Sequence, residues 1–102
     1  MATAAPLNYG SAHFEILREK NTAHQARDLR ARVRHALQRG ERHVVVDCTA
    51  WNQLDLSMLS ALIQCASTCR EHGASFEIAN ISNELRADVR ALQLNERLGL
   101  IG

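Results

Sequence analysis

The sequence predicts an α/β fold: one domain with a mixed, mainly parallel sheet flanked by helices. Three observations predict it. The segment HVVVDC, residues 43–48, is a continuous apolar run with polar ends, the pattern of a strand covered on both faces in a parallel sheet. Short β-type runs alternate with stretches in which apolar residues recur at three- and four-residue steps. The chain has 102 residues, 46% hydrophobic and 23% charged, which suits a single layered core.

Residues 1–12 are small, polar and unpatterned, and a loose arm or irregular edge is expected there, with the domain itself spanning 13–102. His13 to Leu17 alternates, with Phe14 and Ile16 on one side, and predicts a short strand. Thr22 is a candidate N-cap for a helix whose inner stripe is Ala26, Leu29, Val33, Ala36 and Leu37, and which ends at Gly40. His43 to Asp47 is the next strand. A second helix begins near Leu56 to Met58, buries Leu59, Leu62, Ile63, Ala66 and Cys69, and stops at Gly73 behind Arg70 and His72. Ser75 to Ala79 forms a third strand. Ser82 or Asn83 caps a third helix with Leu85, Val89 and Leu92 inward, and NERLGLI adds a last apolar turn. The order β-α-β-α-β-α requires crossover connections, hence the parallel sheet. Val44, Val46, Phe76 and Ile78 complete the expected core, with HVVVDC central and the helices mostly on one face.

Composition excludes several functions. No apolar run approaches the roughly 20 residues that span a bilayer, so membrane insertion is not expected. The opening MATAAPLNYGSA lacks a basic region followed by an apolar stretch, so no signal peptide is expected and the cytoplasm is the default location. Cys48, Cys65 and Cys69 are odd in number and suit no disulfide framework. Cys65 and Cys69 fall on or beside the apolar stripe and are expected to be packing residues, because a zinc site needs further ligands. The histidines show neither HxxxH nor HExxH spacing, so no metal is expected.

Net charge is only +1, yet Lys20, Arg27, Arg30, Arg32, Arg34, Arg39 and Arg42 face only Asp28 and Glu41 across one stretch that reads as a single helix. Tyr9, Phe14, Trp51 and Phe76 are the only aromatics, too few for stacking on bases. A solvated face, or one meeting an acidic protein, is expected there rather than specific nucleic-acid binding.

Ser57 raises the functional question. In an open parallel sheet, functional groups gather where strand C-termini meet helix N-termini. HVVVDC ends at Cys48, the loop TAWNQLD follows, and Ser57 opens the next helix. A phosphate there would meet free backbone N–H groups and the positive end of the helix dipole. Position alone favours the simpler role, with Ser57 or Asp55 serving only as the helix cap. No histidine lies in this loop and no G-x-S-x-G elbow surrounds the serine, so it is not a nucleophile. Asp47 is not a receiver phosphoaspartate either: that chemistry needs clustered acids and a later lysine, and the only lysine is Lys20. No enzyme activity and no cofactor are expected.

From VVVDC through Asp55-Leu56-Ser57-Met58-Leu59-Ser60 to Leu85-Arg86-Ala87-Asp88-Val89-Arg90-Ala91-Leu92, the chain resembles the STAS domain, the fold of bacterial anti-sigma-factor antagonists. Those proteins show an apolar strand ending in Asp, a short loop, and D-S-S-G-L-G opening a helix. NTAHQARDLRARV looks like the family's first helix, and the resemblance covers roughly 13–101. It implies that Ser57 stands where a partner serine kinase of the histidine-kinase-like ATPase type phosphorylates the domain. The unphosphorylated form would bind that kinase/anti-sigma factor and free the sigma factor; phosphorylation would break the complex. The implied partner-binding residues are Asp55, Leu56, Ser57, Met58 and Ser60, and a homodimer is left open. Leu56, Met58 and Ser60 depart from the family pattern, and only one N-terminal strand is evident where the family usually has two. Leu56 and Met58 would then form an apolar docking surface. The alternative implied by the resemblance is a docking subunit, not phosphorylated, of an ABC-type phospholipid transporter or a larger sensory assembly. Neighbouring transporter genes, rather than a sigma factor or kinase, would mark that case.

Overall fold

Each strand is followed by a helix that carries the chain back over the sheet. The structure, a computed structural model, describes residues 11–17, 22–51, 53 and 55–99. The elements are β1 (Ser11–Glu15), α1 (Thr22–Gln38), β2 (His43–Asp47), α2 (Leu56–Glu71), β3 (Ser75–Ala79) and α3 (Asn83–Ala91). The sheet order is β1-β2-β3, and both strand pairs are parallel. The expected alternation and the central place of HVVVDC are therefore present.

Register explains the two faces of the sheet. Ala12, Val44 and Phe76 align across the strands, as do Phe14, Val46 and Ile78. With a period of two, all of these lie on one face. Val44 and Val46 are fully buried in a core shared with Leu29 and Val33 of α1, Leu59 and Leu62 of α2, and Leu85 and Val89 of α3. Each such side chain contributes about 1.5–3 kcal/mol by leaving water. On the opposite face His13, Val45 and Glu77 align. Val45 is buried, but His13 and Glu77 are exposed and Val45 lies outside the main core cluster. The valine triplet thus belongs to a sheet with a helix-covered apolar face and a largely polar one, not to a strand sandwiched between two apolar layers.

Helices α1 and α2 form the most extensive helix contact. Small buried residues, Ala26 and Ala36 on α1 and Ala61 on α2, leave room for close approach of the helices. Both helices end where glycine takes a left-handed conformation, at Gly40 (φ 99°) and Gly73 (φ 70°). Among the described residues no helix is long and apolar enough to cross a membrane.

Four local expectations are corrected. Strand β1 begins at Ser11, where Ser11 and Ala12 pair with His43 and Val44. It stops at Glu15, because the side-chain amide of Gln25 on α1 both accepts from Leu17 N–H and donates to Leu17 C=O, drawing that backbone off the ladder. Thr22 is the first residue of α1 rather than its cap, and its hydroxyl is turned to another element. Ile63, Phe76 and Ile78 are partly rather than fully buried at the margin of the core. Leu92, expected inward, is 45% exposed. It is the C-cap of α3, and Gln93 behind it takes φ 60°, turning the chain so that Leu98, 1% exposed, fills the core instead. Residues 1–10 of the arm expected at 1–12, Lys20, and Leu100 and Ile101 of the expected last turn lie outside the described residues.

Candidate docking site at the start of helix α2

The loop after β2 is fixed at its root by side chains. Asp47 accepts from Thr49 N–H at 2.9 Å, Thr49 Oγ1 at 2.6 Å and Asn80 Nδ2 at 3.2 Å, tying the C-terminal ends of β2 and β3 together. These bonds, the Thr49 hydroxyl first, hold the Asp47 carboxyl below the usual carboxylate range. Cys48 N–H donates to Ala79 C=O at 2.8 Å and Trp51 N–H to Cys48 C=O at 3.0 Å, so the loop folds back at once. The Trp51 ring is buried in the core, which anchors the loop ahead of α2.

Asp55 then starts the helix. It sits in extended backbone, φ −137° and ψ 122°, and its Oδ1 accepts from Met58 N–H at 2.9 Å. Its Oδ2 accepts from Thr22 Oγ1 at 2.7 Å, which fastens the first residue of α1 to the cap of α2. The Met58 N–H first, then the Thr22 hydroxyl, hold the Asp55 carboxyl below its ordinary range. Of the two residues proposed from the sequence as the cap, Asp55 fills that role.

Ser57 is therefore released from capping. It is the second helical residue, exposed, and among the described residues its hydroxyl makes no hydrogen bond. Leu56 beside it is 70% exposed, and Ser60 one turn on is exposed as well. Met58 is different. Expected on the docking surface, it is fully buried and belongs to the central core. Successive residues of a helix differ by about 100° in direction, so the turn that points Leu56 and Ser57 outward points Met58 inward. The structure thus groups Asp55, Leu56, Ser57 and Ser60 at one place and removes the Met58 side chain from it.

Sequence reasoning did not foresee what faces them. A depression of about 400 Å³ runs between α1 and α2, lined by Ala23, Ala26, Arg27 and Arg30 from α1 and by Leu56, Ser57 and Ser60 from α2. Residues 23, 26, 27 and 30 stand at i, i+3, i+4 and i+7, the spacing of one helix face, so this grouping was legible in TAHQARDLR. That it faces Ser57 was not, because it depends on how α1 packs on α2. Among the described residues no histidine or carboxylate lines the depression, a lining suited to docking or to holding an anion rather than to activating a nucleophile. The cysteines stand apart as protonated core residues: burial pushes the Cys48 and Cys65 thiols up to about 12 and the Cys69 thiol to about 11. No disulfide joins them.

The family model described as "Mlab, STAS domain" matches residues 17–102. A search among curated proteins found no match. The match runs from just past β1 to the last residue, and the chain belongs to the STAS domain family, whose role is regulatory or protein-binding.

Proposed function

We propose that this is a regulatory STAS protein that docks on a partner serine kinase/anti-sigma factor, or a similar signalling protein, through the start of α2, and that phosphorylation of Ser57 switches the complex. One observation carries the reading: Asp55 supplies the cap, which leaves Ser57 exposed beside the solvent-facing Leu56, its hydroxyl without a hydrogen bond among the described residues. A kinase can reach that oxygen without unwinding the helix. The phosphate so formed carries about −1.5 to −2 charges at neutral pH. At a contact fitted to a neutral hydroxyl, that charge costs on the order of 2–5 kcal/mol, enough to separate two proteins.

Ser57→Ala and Ser57→Asp, with mass spectrometry of Ser57 from native cells, test the proposal. Ser57→Ala keeps partner binding and abolishes regulation; Ser57→Asp weakens binding, since it adds charge beside Asp55. Both fold, because neither removes the cap. A Ser57 unmodified under every growth condition, with Ser57→Ala cells indistinguishable from wild type, would sink the switch. The exposure of Leu56 favours a second reading, a docking subunit of a transporter or sensory assembly that needs no phosphate. There, Leu56→Asp abolishes binding while Ser57→Ala changes nothing.

A further inference from the structure

We infer that the segment received by the depression between α1 and α2 is an acidic one, an apolar stretch of partner protein carrying Asp or Glu side chains that pair with Arg27 and Arg30. The inference rests on the reading of this surface as a docking site and adds the chemistry of its occupant. Two features of the surface point the same way. Among the described residues, the only charged side chains lining it are Arg27 and Arg30, and no carboxylate lines it. Among the described residues neither arginine makes an ion pair; the neighbouring acid on the same helix, Asp28, is taken by Arg32 at 3.6 Å.

The remaining lining selects against other occupants. Leu56 gives the surface an exposed apolar contact, and Ala23 and Ala26 are too small to obstruct a docked side chain. Nucleic acid would require stacking aromatics or a longer basic track, and among the described residues no aromatic lines the depression. A guanidinium is planar and pairs with a carboxylate through two parallel hydrogen bonds, so two of them, one helical turn apart, suit acidic side chains at helical spacing on the partner. A phosphate on Ser57 lies in the same depression and competes in cis for Arg27 and Arg30. Phosphorylation then removes the cations on which the partner's acids depend, as well as adding charge.

The experiment selects a random library of displayed 16-residue peptides on the intact chain, and maps the enriched peptides by backbone amide shifts. The expected peptides carry an excess of Asp and Glu beside an apolar residue and shift residues 23–30 and 56–60. Their affinity falls at least tenfold with Arg27→Glu/Arg30→Glu and returns when the peptide acids become Lys. Arg27→Gln and Arg30→Gln repeat the measurement should the double reversal fold poorly. Peptides that map to the depression but show no acidic excess, and ignore both arginines, overturn the acidic occupant and leave the docking surface standing. Peptides that map elsewhere overturn both. Random-sequence DNA or anionic vesicles that shift the same residues at physiological salt, where the acidic peptides do not, also overturn the inference.

Discussion

Asp55 joins two helices through one carboxylate, and its removal has an effect that can be worked out from its bonds. Asp55→Ala deletes the N-cap bond to Met58 N–H, worth about 1 kcal/mol. It also strands the Thr22 hydroxyl, whose bond to a charged acceptor in a partly exposed setting contributes about 1 kcal/mol more. The sum is about 2 kcal/mol, and at about 4–8 °C per kcal/mol for a domain of this size the melting temperature falls by roughly 10 °C or somewhat more. Asn is as good a cap as Asp, so Asp55→Asn recovers most of the first bond. Because the carboxyl is depressed in the folded state, its contribution is present above the unfolded carboxyl value of 3.8 and is lost as pH falls through the lower folded value. Asp55→Asn therefore removes this acid-side loss. Urea unfolding of wild type, Asp55→Ala, Thr22→Val and the double variant, followed between pH 7 and pH 3, measures all of it. Once Asp55 is already Ala, Thr22→Val should lose almost nothing more, because the bond between them is already gone. The reasoning fails if Asp55→Ala costs no more than Ser57→Ala, or if the two losses simply add.

Two further predictions concern residues whose burial decides their role. Met58→Asp should unfold or severely destabilise the domain by several kcal/mol, since it places a charge at a fully buried position, whereas Met58→Leu should cost less than about 1.5 kcal/mol; thermal melts of both check this. Leu56→Asp should leave the melt within about 0.5 kcal/mol of wild type and act only on partner binding. The cysteines should resist alkylation in the folded state and react together on unfolding. Their raised folded values mean that thiol-linked stability is complete below about 9, the ordinary thiol value, and declines as pH climbs towards about 11–12; unfolding midpoints that do not fall on this alkaline side count against it.

The fold was legible because its signals are local. Val44 and Val46 announce a buried strand by composition alone, and the stripe from Ala26 to Leu37 announces the face of α1 by period. What stayed hidden depends on contacts distant in sequence or on where an element ends. Thr22 reads as a cap because threonine often is one, but its hydroxyl meets Asp55, 33 residues away. Leu92 continues the spacing of Leu85 and Val89, yet the helix has ended at Ala91, so the spacing no longer describes a helix face. Met58 is the most instructive case. Set against the family pattern it reads as an apolar residue added to a docking turn, because a motif records adjacency and not direction. The cap at Asp55 fixes the phase of the helix, and that phase turns Met58 into the core.

The same phase carries the functional argument. With Asp55 as cap, the first turn of α2 divides its work by position: Asp55 closes the backbone and binds α1, Leu56 and Ser57 face solvent, and Met58 holds the turn to the core. A charge added at Ser57 then meets neither the cap bond nor the core contact, so on the proposed reading modification changes what the surface binds without unfolding the helix that presents it. Had Ser57 been the cap, its modification would have disturbed the start of α2 and its junction with α1 together, and regulation would have been inseparable from stability. The decisive comparison is therefore between stability and binding in one variant. Ser57→Asp should melt with wild type while its partner affinity falls, and a parallel fall in both would mean that the serine belongs to the structure of the turn and not to its surface.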